Sequence, residues 1–260
     1  MTTGKYTAQL QAGLGLIEET KVLLELWNPG IDGLELNRIA LTSGRFSTVS
    51  ARRLRNIVVE CFQPRYLRNN AQNAILLKTF QSLLSKREFE QLLFVYTAQT
   101  SSILSDFITQ VYWPAYVANR NILTAKDARD FVSRANADGL TVSKWSDSTV
   151  IKVSSYLNGV CADFGLLEHS TGATRRILPY RLEDNCAIIL IHQLHFNGFG
   201  DNAIVSHSMW KLFGMEREDV INALKHLSLC GVFIVQNAAD VVSIGWQYKD
   251  FKELANVIGH

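Results

Sequence analysis

Between Glu35 and Arg68 apolar residues recur at helical spacing on both sides of a glycine, and arginines crowd the positions between them. A short apolar helix (LELNRIAL), a turn at Gly44 and the stretch FSTVSARRLRNIVVECF, which Ser47 or Thr48 can cap, give the order of a helix-turn-helix. Seven arginines (Arg38, Arg45, Arg52, Arg53, Arg55, Arg65 and Arg68) stand here against two acids, Glu35 and Glu60, in a chain of formal net charge +2. At about 100° per residue, Ser50, Leu54, Ile57, Val58 and Cys61 share an arc that faces a core. Thr48, Arg52, Arg55, Asn56 and Val59 share the other. Arginine suits bidentate contact with guanine or phosphate and asparagine suits adenine, so this outer arc predicts a major-groove helix. The plain alternative is a solvated basic face, because helix-turn-helix patterns recur in proteins that bind no DNA.

Charge is uneven along the chain. Residues 34–70 total +5 and residues 200–260 total −2, which centres attraction to nucleic acid on the N-terminal part. Four scattered cysteines (Cys61, Cys161, Cys186 and Cys230), no CxxC and no signal-peptide pattern predict reduced thiols and a cytoplasmic protein. The most apolar stretch, from Leu92 to Val117, is interrupted by Asp106, Pro114 and several Gln, Ser and Thr residues, so no membrane segment is expected.

The organisation expected from periodicity is a basic helix-turn-helix region over 1–70 and a helical spacer over 71–140. A second helix with a basic β-hairpin wing follows over 141–182, then a winged-helix-like module over 183–260. The fold class is therefore mainly α, with helix-turn-helix or winged-helix modules, small β-hairpin wings and a helical spacer. Within the spacer Thr124 caps the last helix, and Pro114 should end or kink the middle one, FEQLLFVYTAQTSSILSDFITQVYW. In the second module Ser146 caps a helix with Val150, Val153, Leu157, Val160, Cys161 and Phe164 on one arc. Ser148, Ile151, Lys152, Ser155 and Gly159 lie opposite, and FGLLEHSTGATRRILPYRL then puts Arg175 and Arg176 at or beside a hairpin tip. The last module repeats the order helix, helix, hairpin, with its turn at Asn237 to Asp240. Glu218 and Asp219 at the start of its second helix repel DNA, which favours a protein-binding or architectural role.

Catalytic signatures are weak. AGLGL at 12–16 lacks the third glycine and the Lys-Ser/Thr of a phosphate loop and reads as a flexible turn. His192 and His195, with Asp201 and His207 nearby, lie in a run, HQLHFNGFGD, that reads as loop, and satisfied or surface histidines fit them better than a metal. Asp106 is the acid to inspect for burial. No nucleophile has a base in a strand-turn-helix context. Neither an enzyme activity nor a cofactor is expected.

Taken in order, YTAQLQAGLGLIEETKVLLELW, STVSARRLRNIVVECF, SILSDF and KWSDSTVIKV with its Gly-Leu-Leu hairpin resemble the BrxA family of bacterial BREX phage-defence systems, over about residues 5 to 182. The resemblance implies a non-enzymatic protein that binds double-stranded DNA. It also implies partners encoded beside it: a methyltransferase, an ATPase and an alkaline-phosphatase-like protein. The family's N-terminal binding helix matches Thr48 to Val59, and its second helix and hairpin match Ser146 to Arg181. The expected DNA-contacting residues are Arg45, Ser47, Thr48, Arg52, Arg53, Arg55 and Asn56, then Lys144, Ser148, Lys152, Ser155, Arg175 and Arg176. The alternatives are an adaptor that docks on the methyltransferase or ATPase, motivated by Trp210, Phe213 and Trp246 if exposed, and an RNA-binding helical protein.

Overall fold

The structure, a computed structural model, describes residues 5–8, 15–238 and 241–258. Most of the N-terminal stretch YTAQLQAG, residues 12–14 of the glycine-rich turn and residues 239–240 of the last hairpin turn lie outside the described residues. The fold is mainly helical with two small antiparallel strand pairs. Two compact units divide it: Met1–Lys78 with Leu93–Tyr180, and Thr79–Leu92 with Arg181–His260.

The first unit begins with α1 (Ile17–Leu26) and α2 (Gly33–Thr42), the latter capped by Asp32, whose carboxylate accepts from the Glu35 N–H at 2.8 Å. Gly33 is needed for close approach, since a Cβ there would sit 2.1 Å from Oε1 of Gln63. Gly44 turns the chain with φ +72°, and α3 (Ala51–Arg55) follows. The cap is Ser50, whose hydroxyl accepts from the Arg53 N–H at 3.3 Å. Neither Ser47 nor Thr48 plays that part, and Ser50 is exposed at the helix start, not on the core arc.

After α3 the helix widens into a π turn over Asn56–Phe62 and closes again as α4 (Gln63–Tyr66). α5 (Arg68–Phe80) opens with left-handed Asn69, Asn70 and Ala71. α6 (Lys86–Gln99) and α7 (Ser102–Phe107) are separate, so the single middle helix is corrected to two. The break falls where Thr100 turns its hydroxyl back to the carbonyls of Tyr96 and Thr97, at 3.1 and 3.0 Å. Such local side-chain bonds compete with the helix ladder. A second π turn, Ile108–Tyr112, precedes α8 (Trp113–Val117).

Pro64 and Pro114 each stand two residues beyond a π turn. A proline ring clashes with the carbonyl four residues back and offers no N–H, and a widened turn removes both conflicts. Pro114 therefore neither ends nor breaks its helix, which runs on to Val117.

β1 (Ile122–Thr124), α9 (Ala125–Ala137), α10 (Asp147–Asp163) and β2 (Thr174–Arg176) complete the unit. Thr124 and Asp127 form a capping box at α9. β1 pairs antiparallel with β2, Leu123 opposite Arg175. On its other side the β2 segment meets 166–168, through the Leu167–Ile177 bridge and the Glu168 N–H to the Arg176 carbonyl at 2.9 Å. Asn136 clasps the α9–α10 turn: its amide donates to the Trp145 carbonyl at 3.0 Å and accepts from the Trp145 N–H at 2.8 Å. Tyr6 joins in parallel beside Thr141, and its hydroxyl donates to half-buried Asp106 at 2.6 Å.

In the second unit Gln91 brackets the chain, donating to the Arg181 carbonyl at 2.6 Å and accepting from the Glu183 N–H at 2.9 Å. α11 (Asp184–Phe196), α12 (Asp201–Val205), a 3₁₀ turn (Ser208–Phe213), α13 (Arg217–Leu227), β3 (Phe233–Ala238), β4 (Val241–Trp246) and α14 (Phe251–Ala255) follow. The expected loop at His192 and His195 is helix, continuous to Phe196, because CAIILIHQLHF buries one face after another. Trp210 and Phe213 are buried, which removes them as docking aromatics. Asp201 accepts from the Ile244 N–H at 2.8 Å and holds the β3–β4 hairpin.

Candidate nucleic-acid interface

The inner face of the first basic helix is apolar throughout: Leu54, Ile57, Val58, Cys61 and Phe62 are buried. That burial orients the remainder of the helix. Arg52 and Arg55 stand exposed with no ion pair among the described residues, Arg53 is exposed beside them, and Asn56 is half-buried at the start of the π turn. Ser47 and Thr48 are exposed in the preceding turn.

The seven arginines of this segment do not form one surface. Arg38 pairs with Glu35, and Arg45 pairs with Glu25 at 2.9 Å. Arg65 is withdrawn altogether, only 7% exposed. Exposed pairs contribute little stability, but each acid offsets the charge a polyanion would meet. Exposed arginines without an ion pair among the described residues are thus Arg52 and Arg55 on this helix and Arg68 at the start of α5.

In α10 the division between faces is equally sharp. Val150, Val153, Leu157, Val160 and Cys161 are buried, and Ser148, Ile151, Lys152 and Ser155 are exposed, with Lys144 exposed just upstream. Ser146 caps the helix. Burial pushes the Cys161 thiol up to about 12, so it stays a protonated core residue. The paired arginines of the wing diverge: Arg176 is exposed and meets Glu168 at 3.2 Å, while half-buried Arg175 donates to the Glu168 carbonyl at 3.4 Å. Successive strand residues face opposite ways, which is why only one of the two reaches fully outward.

A shallow open depression of about 710 Å³ lies where α9 gives way to α10, lined among others by Lys5, Asn136, Thr141 and Lys144. In the second unit α13 opens with Glu216, Glu218 and Asp219, Asp219 accepting from the Glu216 N–H at 2.9 Å. This end repels phosphate. No group of His, Cys, Asp or Glu among the described residues is arranged to hold a metal.

Residues 4–193 match the BrxA family. The chain belongs to that family. BrxA membership makes it a component of a BREX phage-defence system, and BrxA proteins are not known as enzymes. A crystal structure of an uncharacterized protein from Magnetospirillum magneticum is similar over 80% of this chain and 98% of its own, at 18% identity and a TM-score of 0.58. At that identity the likeness shows the fold alone. No curated protein matches the chain. None of the helices among the described residues is long and apolar enough to cross a membrane.

The strand pair that joins β1 to β2 across some fifty residues is not legible in the sequence of this BrxA chain, because its three-residue strands carry no alternation long enough to notice.

Proposed function

We propose that this BrxA protein binds double-stranded DNA, chiefly through phosphates, in the bacterial cytoplasm and without catalysing a reaction. The observation that supports this most is the pair Arg52 and Arg55, exposed and without acidic partners among the described residues on a helix whose other face is core. A second contact is supported by the order β1, α9, α10 and the arm bearing β2, which is compatible with a winged helix in which α10 would be the recognition helix. Arg45, Ser47, Thr48, Arg53 and Asn56 flank the first contact. Lys144, Ser148, Lys152, Ser155 and Arg176 form the second, with Arg175 bracing the wing.

Affinity for a duplex should fall steeply with salt, with a slope of log K against log salt of about −4 to −5 for roughly five neutralised phosphates. Replacing Arg52 and Arg55 together by alanine should weaken binding to every sequence and flatten that slope by about two. Unchanged binding by the double variant would remove this helix from the interface. Duplex DNA and RNA competed at one salt concentration distinguish the groove reading from an RNA-binding one.

The acidic opening of α13 supports a complementary role for the second unit as a docking surface for other BREX components, the methyltransferase, ATPase or alkaline-phosphatase-like protein. Co-purification that survives nuclease, and is lost when Glu218 and Asp219 are reversed to lysine, is the expected result.

A further inference from the structure

Five side chains make the outward face of α10 after its Ser146 cap: Asp147, Ser148, Ile151, Lys152 and Ser155, spaced one, three, one and three apart so that they share one stripe. Four of them are polar or charged. Ile151 is aliphatic and 47% exposed. Isolated apolar residues on a surface are ordinary, so exposure alone assigns nothing; the neighbours and the position do. Ser148 and Ser155, one turn to either side, are too short to shield the isoleucine, and Lys152 can swing clear on its flexible stem. The side chain is therefore the most prominent rigid point of the stripe. The core face of α10 is complete without it, filled by Val150, Val153, Leu157 and Val160. A β-branched residue is also a poorer helix former than the lysine or alanine that an unused surface position would tolerate.

We propose that Ile151 is a sequence-reading residue, packing on the C5-methyl group of thymine in the major groove. This rests on the duplex-DNA reading above. Recognition helices place their N-terminal turns against base edges, and Ile151 is the fifth residue of α10. The floor of the major groove offers hydrogen-bonding edges and a single apolar group, the thymine methyl. Against guanine or cytosine an aliphatic side chain covers polar edges and returns no hydrogen bond. Against thymine it removes two apolar surfaces from water at once. Of the charged groups around it, Lys144 and Lys152 attract the flanking phosphates, Asp147, exposed one turn before Ile151, repels them, and Glu168 is engaged by Arg176. Phosphate contacts would then hold the protein on any duplex, and Ile151 would bias where it rests towards A·T-rich steps.

Removing the methyl alone is chemically simple, because deoxyuridine pairs as thymidine does. The full chain is titrated with a short alternating A·T duplex and with the same duplex carrying uracil for every thymine, alongside Ile151→Ser. The expected result is that wild type prefers the thymine duplex about three- to fivefold, the scale of one buried methyl contact, while Ile151→Ser binds both alike with an unchanged salt slope. Equal wild-type affinity for the two duplexes overturns the methyl reading and leaves DNA binding intact. The same preference in wild type and Ile151→Ser also overturns it, since shape or another side chain would then be responsible. Failure of wild type to bind either duplex is the failure of the underlying function.

Discussion

Arg65 and Arg52 lie thirteen positions apart on one helical run and illustrate how little a count of charges says about facing. Within a sequence window every arginine adds the same +1, yet Arg65 is 7% exposed and Arg52 is open to solvent. The two should separate in the laboratory. Arg65→Ala removes a packed stem and should cost about 2 to 3 kcal/mol of stability in denaturant titration, whereas Arg52→Ala should stay within about 0.5 kcal/mol and act on DNA affinity. His192 carries a second prediction. It is fully buried, its Nδ1 donates to the Ile188 carbonyl at 2.8 Å, and burial lowers its pKa from 6.5 to about 4. Between those values the unfolded chain takes up a proton that the folded chain refuses, so stability falls as pH drops from about 6.5 to 4. The loss should reach about 3 kcal/mol, and His192→Phe should abolish that part of the pH profile.

Amphipathic helices were the elements most open to reading, because burial follows periodicity directly: every residue assigned to the inner arc of α10 is buried. The end of an element is decided by finer competition. Ser47, Thr48 and Ser50 are all able to cap, and the turn after Gly44 runs on until Ser50 takes the position. The prolines pose a similar ambiguity, since the same steric clash can terminate a helix or widen it. A proline in a regular helix costs about 3 kcal/mol. Since the π turn before Pro114 has already relieved the clash, Pro114→Ala should gain less than about 1 kcal/mol in urea unfolding. Gly33→Ala should do the opposite of what helix propensity suggests. A methyl group would press on Gln63, Cβ to Cβ at 3.1 Å and closer to its amide, and should destabilise the chain by about 1 to 2 kcal/mol.

At the scale of the whole chain, acid should affect the two units unequally. Asp127 in the first unit is raised by partial burial but held down further by Arg120 and Thr124, to about 2. Its contribution is complete above about pH 4 and is lost only as pH falls towards 2. That of His192 in the second unit is lost much earlier. Trp210 and Trp246 report on the second unit, and Trp27, Trp113 and Trp145 on the first. Fluorescence of variants retaining one set or the other should show the second unit melting earlier at pH 5 than at pH 7, with the first unit shifting less.

Residues 79–92 belong with 181–260, although roughly ninety residues of the first unit are threaded between them. The second unit is therefore discontinuous along the chain. Removing the chain after Tyr180 would strand Phe80, Phe89 and Leu92, now buried, without the rest of the unit they belong to.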